Sequence, residues 1–152
     1  MLELEAAVQR EPTDARAWFA LGVKQQDNER ESRAIEALRR SVELDPEYLP
    51  SWLALGISHT NESNRSGAYD AIREWVVRHK FYKSLPIKLN ADAMAHATQL
   101  ERYQELINCL IAMARSEVGG DLDADIQVAL AVLLNSNEVC DFIRCYEQHE
   151  TT

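Results

Sequence analysis

A 34-residue step runs through the first half of the chain. Ala17-Trp18-Phe19-Ala20-Leu21-Gly22 aligns with Ser51-Trp52-Leu53-Ala54-Leu55-Gly56, so that Trp18 and Trp52, Leu21 and Leu55, and Gly22 and Gly56 each lie 34 positions apart. Ala34 and Ala68 keep the same offset, as do Pro12 and Pro46. One matching pair is a coincidence; several at a single offset are a repeat. Self-similarity at this period marks a stack of supersecondary units, each too small to bury its apolar face without its neighbour.

The residue types define the unit. Trp, Leu and Gly fall on one face of a first helix, and the glycine lets a second helix approach closely. Ala34 and Ala68 keep that second helix equally thin, while Leu38 and Ile72 fill the seam between the two. Pro12 and Pro46 sit where each second helix ends, because proline cannot supply the helical N–H. Only 5 Gly and 4 Pro occur in 152 residues, with 46% hydrophobic residues, which favours helices over a sandwich and excludes a disordered tail. W-x-x-L-G, a later small residue and a closing Pro together resemble the tetratricopeptide repeat. The expected fold class is all-α: a tetratricopeptide-repeat solenoid of antiparallel helix pairs, with incomplete first and last repeats.

Extended along the chain, the register makes residues 2–11 the second helix of a partial repeat, with Leu4 and Ala7 at its seam. Residues 15–48 and 49–82 form two repeats. Residues 83–98 read as an irregular linker containing Pro86, followed by a helix start capped by Asn90 or Asp92. Residues 99–118 form an amphipathic helix in which Leu100, Tyr103, Leu106, Ile107, Leu110, Ile111 and Ala114 follow the helical period, stopped by Gly119-Gly120. Residues 125–152 read as an incomplete repeat with a divergent tail, Leu130 and Ala131 taking the Leu-Gly places. Asp121, Asp123 and Asp125 alternate as in a calcium loop, but Ile126 and Val132 stand where such a loop needs Gly and Glu. Acids favouring a helix dipole explain them better.

Nothing in the chain signals chemistry. Phosphate-binding glycine loops, nucleophile elbows and H-E-x-x-H are absent, so no enzyme activity, cofactor or metal is expected. His59, His79, His96 and His149 are scattered at spacings unsuited to a metal, and Glu29 with Arg33 reads as an ordinary i, i+4 surface pair. A net charge of −9 argues against nucleic-acid or anionic-membrane partners, and no apolar run approaches the length of a membrane span. Three unpaired-looking cysteines, Cys109, Cys140 and Cys145, and a charged N-terminus suggest a reducing compartment and no secretory leader.

What a stack of helix pairs does offer is a groove lined by first helices. The groove-facing places hold Arg16, Phe19, Val23, Gln26 and Asp27, then Pro50, Leu53, Ile57, Thr60 and Asn61. An asparagine can donate to a carbonyl and accept from an N–H, which suits an extended peptide backbone. Asn61 could equally end its helix as a cap.

At these residues the likeness is more specific. AWFALGVKQQDNERESRAIEALRRSVELDP (Ala17 to Pro46) and LPSWLALGISHTNESNR (Leu49 to Arg65) resemble the receptor family, in a fungal-like version, that reads C-terminal Ser-Lys-Leu-type peroxisomal targeting signals. LINCLIAMARSEVGGDLDADIQVALAVLLN (Leu106 to Asn135) is similar to the region joining that family's two repeat blocks. The resemblance implies a peptide-binding part of an import receptor for matrix proteins, cytoplasmic and cycling to the peroxisomal membrane. Its implied partners are cargo C-termini and, for the full-length family, the peroxisomal docking machinery, without nucleic acid or direct membrane insertion. Asn61 matches the family's backbone-binding asparagine, with Thr60 and Ile57 beside it. Asp27 and Glu62 match acidic positions facing the signal's lysine. The family carries a second repeat block with further asparagines that has no counterpart here, so weak binding is expected. The competing reading is a helical-repeat scaffold or oligomerisation module without peptide binding.

Overall fold

A computed structural model describes residues 1–85, 89, 95–116 and 123–135. It divides the chain into two units, Met1–Arg78 and His79–Thr152. Every regular element among the described residues is an α-helix.

In the first unit, α1 (Leu2–Arg10), α2 (Ala15–Asp27), α3 (Glu31–Leu44), α4 (Leu49–Asn61) and α5 (Arg65–Arg78) succeed one another through short turns. Each helix packs on the next, and α2 also touches α4. The repeated residues have repeated fates. Ala34 and Leu38 on α3 are fully buried, as is Ile72 on α5, with Ala68 at 5% exposure. Leu38, Val42, Ala54, Leu55 and Ala71 form one core cluster, against which Phe19, Ile35 and Trp52 pack. Val8, Leu21 and Ala37 form another, joined by Leu4, Ala17 and Trp18.

The expected thinness at Gly22 is real. A Cβ there would lie 2.6 Å from Leu38 Cγ, closer than any side chain tolerates. Packing two helices this tightly replaces water by dispersion contacts along the seam. The buried Ser41 hydroxyl is satisfied between helices: its Oγ donates to the Ala15 carbonyl at 2.7 Å and lies 2.6 Å from Ser51 Oγ.

The two repeat tryptophans, Trp18 and Trp52, have a second task besides packing. Trp18 Nε1 donates to the Pro12 carbonyl at 2.9 Å, and Trp52 Nε1 donates to the Pro46 carbonyl at 2.8 Å. The prolines that follow α1 and α3 are therefore tied to the next first helix.

The turns inside each pair also repeat. Glu29 has φ 56° and Ser63 has φ 57°, both left-handed. Around them the Arg30 N–H donates to the Gln25 carbonyl and the Asn64 N–H to the His59 carbonyl, at 2.9 and 2.8 Å. The Glu29 and Ser63 N–H groups donate to Gln26 and Thr60. This is the Schellman closure, achieved without its usual glycine. It corrects one expectation: Glu29 lies outside α3, so it and Arg33 are not an i, i+4 helical pair.

The second unit contains α6 (Lys80–Ser84), α7 (Gln99–Arg115) and α8 (Ala124–Leu134). Thr98 and Glu101 open α7 with a reciprocal capping box. Its buried face comprises Tyr103, Leu106, Ile107, Cys109, Leu110 and Met113, while Leu100 stays 42% exposed. Ile111 and Ala114 are half-buried, so the stripe is rotated slightly from the expected one. Asp123 caps α8 by accepting the Asp125 N–H at 3.0 Å, and its carboxylate lies 3.6 Å from His79 Nε2. On α8 the buried residues are Ile126, Ala129, Val132 and Leu133. Leu130 is half-buried and Ala131 exposed, so the Leu-Gly places expected there are not the seam. The expected caps Asn90 and Asp92, the Gly119-Gly120 stop and the tail from 136 onward lie outside the described residues. None of the described helices is long and apolar enough to cross a membrane.

Candidate functional site

The last turns of α2 and α4 carry the polar residues singled out above. α4 is well suited to hold them. Pro50 lies in its first turn, where a missing N–H costs nothing. Leu53, Ala54, Leu55 and Gly56 are buried, so the helix is clamped through its middle. Ile57 and Asn61, four residues apart, share one face. Ile57 and Thr60 are half-buried, and Asn61 and Glu62 are exposed. Asp27 occupies the place on α2 that Asn61 occupies on α4.

The side chains are not equally available. Thr60 Oγ1 turns back to donate to the Gly56 carbonyl of its own helix at 3.0 Å. Asp27 is exposed and faces Lys24 Nζ at a loose 3.8 Å, a solvated pair of little energetic weight. Glu62 is the C-cap residue of α4, its own N–H directed to the Ser58 carbonyl. Asn61 is the last helical residue and not the left-handed cap, a role that falls to Ser63. Its amide does have a partner: Nδ2 donates to Glu31 Oε1 at 2.7 Å.

Two further residues depart from the pattern read in the sequence. Gln26, expected to face the groove, instead bridges the two first helices. Its Nε2 donates to the Ala54 carbonyl at 2.8 Å and to Ser58 Oγ at 2.6 Å. Leu53 is 8% exposed and belongs to the interior. Glu31 escaped notice altogether, since its partner lies 30 residues away and no local spacing announces it.

One face of α4 buries an imidazole. His59 is 3% exposed and lines a cavity of about 240 Å³ with Arg39, Trp52, Asp70 and Glu74 among its neighbours. Asn64 Oδ1 accepts the Gly67 N–H at 3.0 Å, which directs its Nδ2 toward His59 Nδ1 at 3.2 Å. His59 Nδ1 therefore accepts, and the neutral ring carries its proton on Nε2. Burial holds the His59 pKa below 6.5, Arg39 lowers it further, and Asp70 partly offsets both. Among the described residues no cluster of three or more His, Cys, Asp or Glu side chains could hold a metal ion.

Comparison with known proteins bears on the fold and the sequence. Two crystal structures of MamA share the fold. One superposes with a TM-score of 0.50 at 20% identity, covering 91% of this chain and 86% of the other. The second has a TM-score of 0.55 at 17% identity, with coverages of 93% and 75%. No protein-family model matches the chain. In sequence, the chain is 34% identical over 142 residues to the peroxisomal targeting signal receptor of Yarrowia lipolytica, aligning 92% of this chain with 24% of that protein. It is 42% identical over 137 residues to the peroxisomal targeting signal 1 receptor of Dictyostelium discoideum, aligning 89% with 21%.

Helix pairs on a 34-residue step, joined as described, define a tetratricopeptide-repeat protein. Along about nine-tenths of its length the chain is similar to part of two peroxisomal targeting signal receptors, and it spans about a quarter of the length of these curated relatives. Those relatives are named receptors, not enzymes.

Proposed function

We propose that this chain supplies part of the surface by which a receptor recognises C-terminal Ser-Lys-Leu-type peroxisomal targeting signals. The observation that carries the reading is the match, along about nine-tenths of the chain, to two proteins named as receptors for such signals. The geometry of α4 is consistent with it. Asn61 is exposed beside half-buried Ile57 and Thr60, and it retains one amide hydrogen and its carbonyl oxygen for a peptide backbone. Asp27 and Glu62, both exposed acids, attract the signal's lysine. In this reading the receptor works in the cytoplasm and cycles to the peroxisomal membrane, meeting the docking machinery there.

Few hydrogen bonds are on offer, each contributing about 1 kcal/mol net. A dissociation constant near 1 mM corresponds to only about 4 kcal/mol, which is the regime expected for this chain alone. The test is an NMR titration with a peptide ending in Ser-Lys-Leu and with its scrambled counterpart. Shifts centred on Ile57, Thr60, Asn61 and Glu62, seen only with the true signal and abolished by Asn61→Ala, support the reading. Equal shifts with both peptides, or shifts elsewhere, overturn it. Sub-micromolar binding would instead show that a second repeat block is unnecessary.

A scaffold reading draws on Leu2, 81% exposed on α1. Light scattering that finds a stable dimer, lost in Leu2→Glu, would favour it.

A further inference from the structure

We infer that Glu31 is a positioning residue that sets which edge of the Asn61 amide faces a ligand; the inference rests on the reading that Asn61 binds peptide backbone. An asparagine amide offers a donor edge and an acceptor edge of nearly equal shape, and a half-turn about its terminal bond exchanges them. Exposed at the end of α4, Asn61 has no packing of its own to choose between the two. Glu31 makes the choice. A carboxylate is acceptor-only, so it can receive Nδ2 and never Oδ1. The contact, Nδ2 to Oε1 at 2.7 Å, is short and charge-assisted.

Glu31 is itself held in place. It is the first residue of α3, where the helix dipole favours an anion. Its Oε2 is buried and meets no hydrogen-bond donor among the described residues. The oxygen turned to Asn61 is thus the one that carries the hydrogen bond. The two residues belong to neighbouring pairs, Glu31 on α3 and Asn61 on α4, so the pair also ties the turn of one repeat to the last turn of the next. With one amide hydrogen taken, Asn61 presents one donor and its oxygen in a fixed order along the helix end. A peptide backbone, whose own N–H and C=O alternate with direction, is then accepted in one direction and refused in the other.

The test compares Glu31→Gln, Glu31→Ala and Glu31→Lys. Without peptide, the two Asn61 side-chain amide protons should be widely separated in the native chain, one of them shifted downfield by the carboxylate. Glu31→Ala should bring the downfield proton back to the range of an unbonded side-chain amide, and so should Glu31→Lys, because a lysine draws Oδ1 and turns the amide over. Unchanged Asn61 amide signals in both variants overturn the positioning role whether or not any peptide binds. With the Ser-Lys-Leu peptide, Glu31→Ala should weaken binding at least about fivefold, as expected for a lost oriented hydrogen bond, and Glu31→Gln, whose amide can equally donate to Oδ1, should also weaken it, by more than about twofold. Native-like binding in Glu31→Gln would mean that an acceptor-only partner is not what fixes the amide, and would also overturn the proposal. Failure of the native chain to respond to peptide at all would count against the peptide reading and leave the amide measurement to decide the orientation.

Discussion

The pairs α2–α3 and α4–α5 share a backbone plan but differ where their first helices end. Their skeletons coincide at the 34-residue step: tryptophan to proline carbonyl, alanine in the seam, a left-handed residue closing the turn. Gln25 of the first pair becomes His59 in the second, Gln26 becomes Thr60, and Asp27 becomes Asn61. The change at one place requires another. An imidazole at 59 fits only because α5 carries Gly67, where a Cβ would lie 2.7 Å from His59 Nδ1. The corresponding residue of the first pair is Arg33, which is exposed. The repeat fold thus tolerates variation on the last turn of its first helices while the seam below stays constant.

The comparison can be broken most severely at the seam. Leu38 and Ile72 hold the same place and are both fully buried. Leu38→Ala and Ile72→Ala should each cost about 2–5 kcal/mol in urea unfolding, by lost burial and the cavity left behind. A cost below that range at either place would mean the two seams are not equivalent.

Overpacking comes next. Gly22→Ala should cost about 1–3 kcal/mol, because Leu38 is fully buried and has nowhere to retreat. Gly67→Ala should cost a similar amount in the native chain and less in a His59→Ala background. Additive effects in that double-mutant cycle would show that Gly67 does not serve His59.

A smaller effect has the opposite sign. Glu29→Gly and Ser63→Gly should each raise stability by roughly 0.5–1 kcal/mol, since glycine enters the left-handed region without a Cβ penalty. A lowered melting temperature in either would indicate that the side chain contributes more than its backbone strain costs.

The most confined effect depends on pH. The folded His59 pKa lies below 6.5 and the unfolded one near it. Stability from this group is therefore complete above pH 6.5 and is lost as pH falls below it, where the unfolded chain takes up the proton first. His59→Gln, which copies the first pair, should flatten the fall in melting temperature on the acid side and leave neutral pH little changed. Parallel pH profiles for the two proteins would contradict the buried neutral imidazole.

Much of the first unit was legible because its signals are local and repeated. Period, helix faces, thin positions and stop residues are each encoded within a few residues, and repetition doubled every signal. The α7 stripe was nearly right for the same reason, although packing drew in Cys109 and Met113 and left Leu100 exposed. The register expected on α8 failed. With no second copy to align, Leu130 and Ala131 had only their own apolar character to recommend them, and a helix this apolar offers several possible faces. Of the groove residues, Ile57, Thr60, Asn61, Asp27 and Glu62 were named from the repeat and the family resemblance, but not their partners.

Sequence alone determined that the chain would pair helices on a 34-residue step, because apolar periodicity and backbone breakers act over one or two turns. Tertiary structure alone decided that Gln26 bridges α2 to α4, that Trp18 and Trp52 bind proline carbonyls, and that Glu31 holds Asn61. Those bonds join polar groups from separate turns or helices, and a hydrogen bond needs a distance and an angle that composition does not contain.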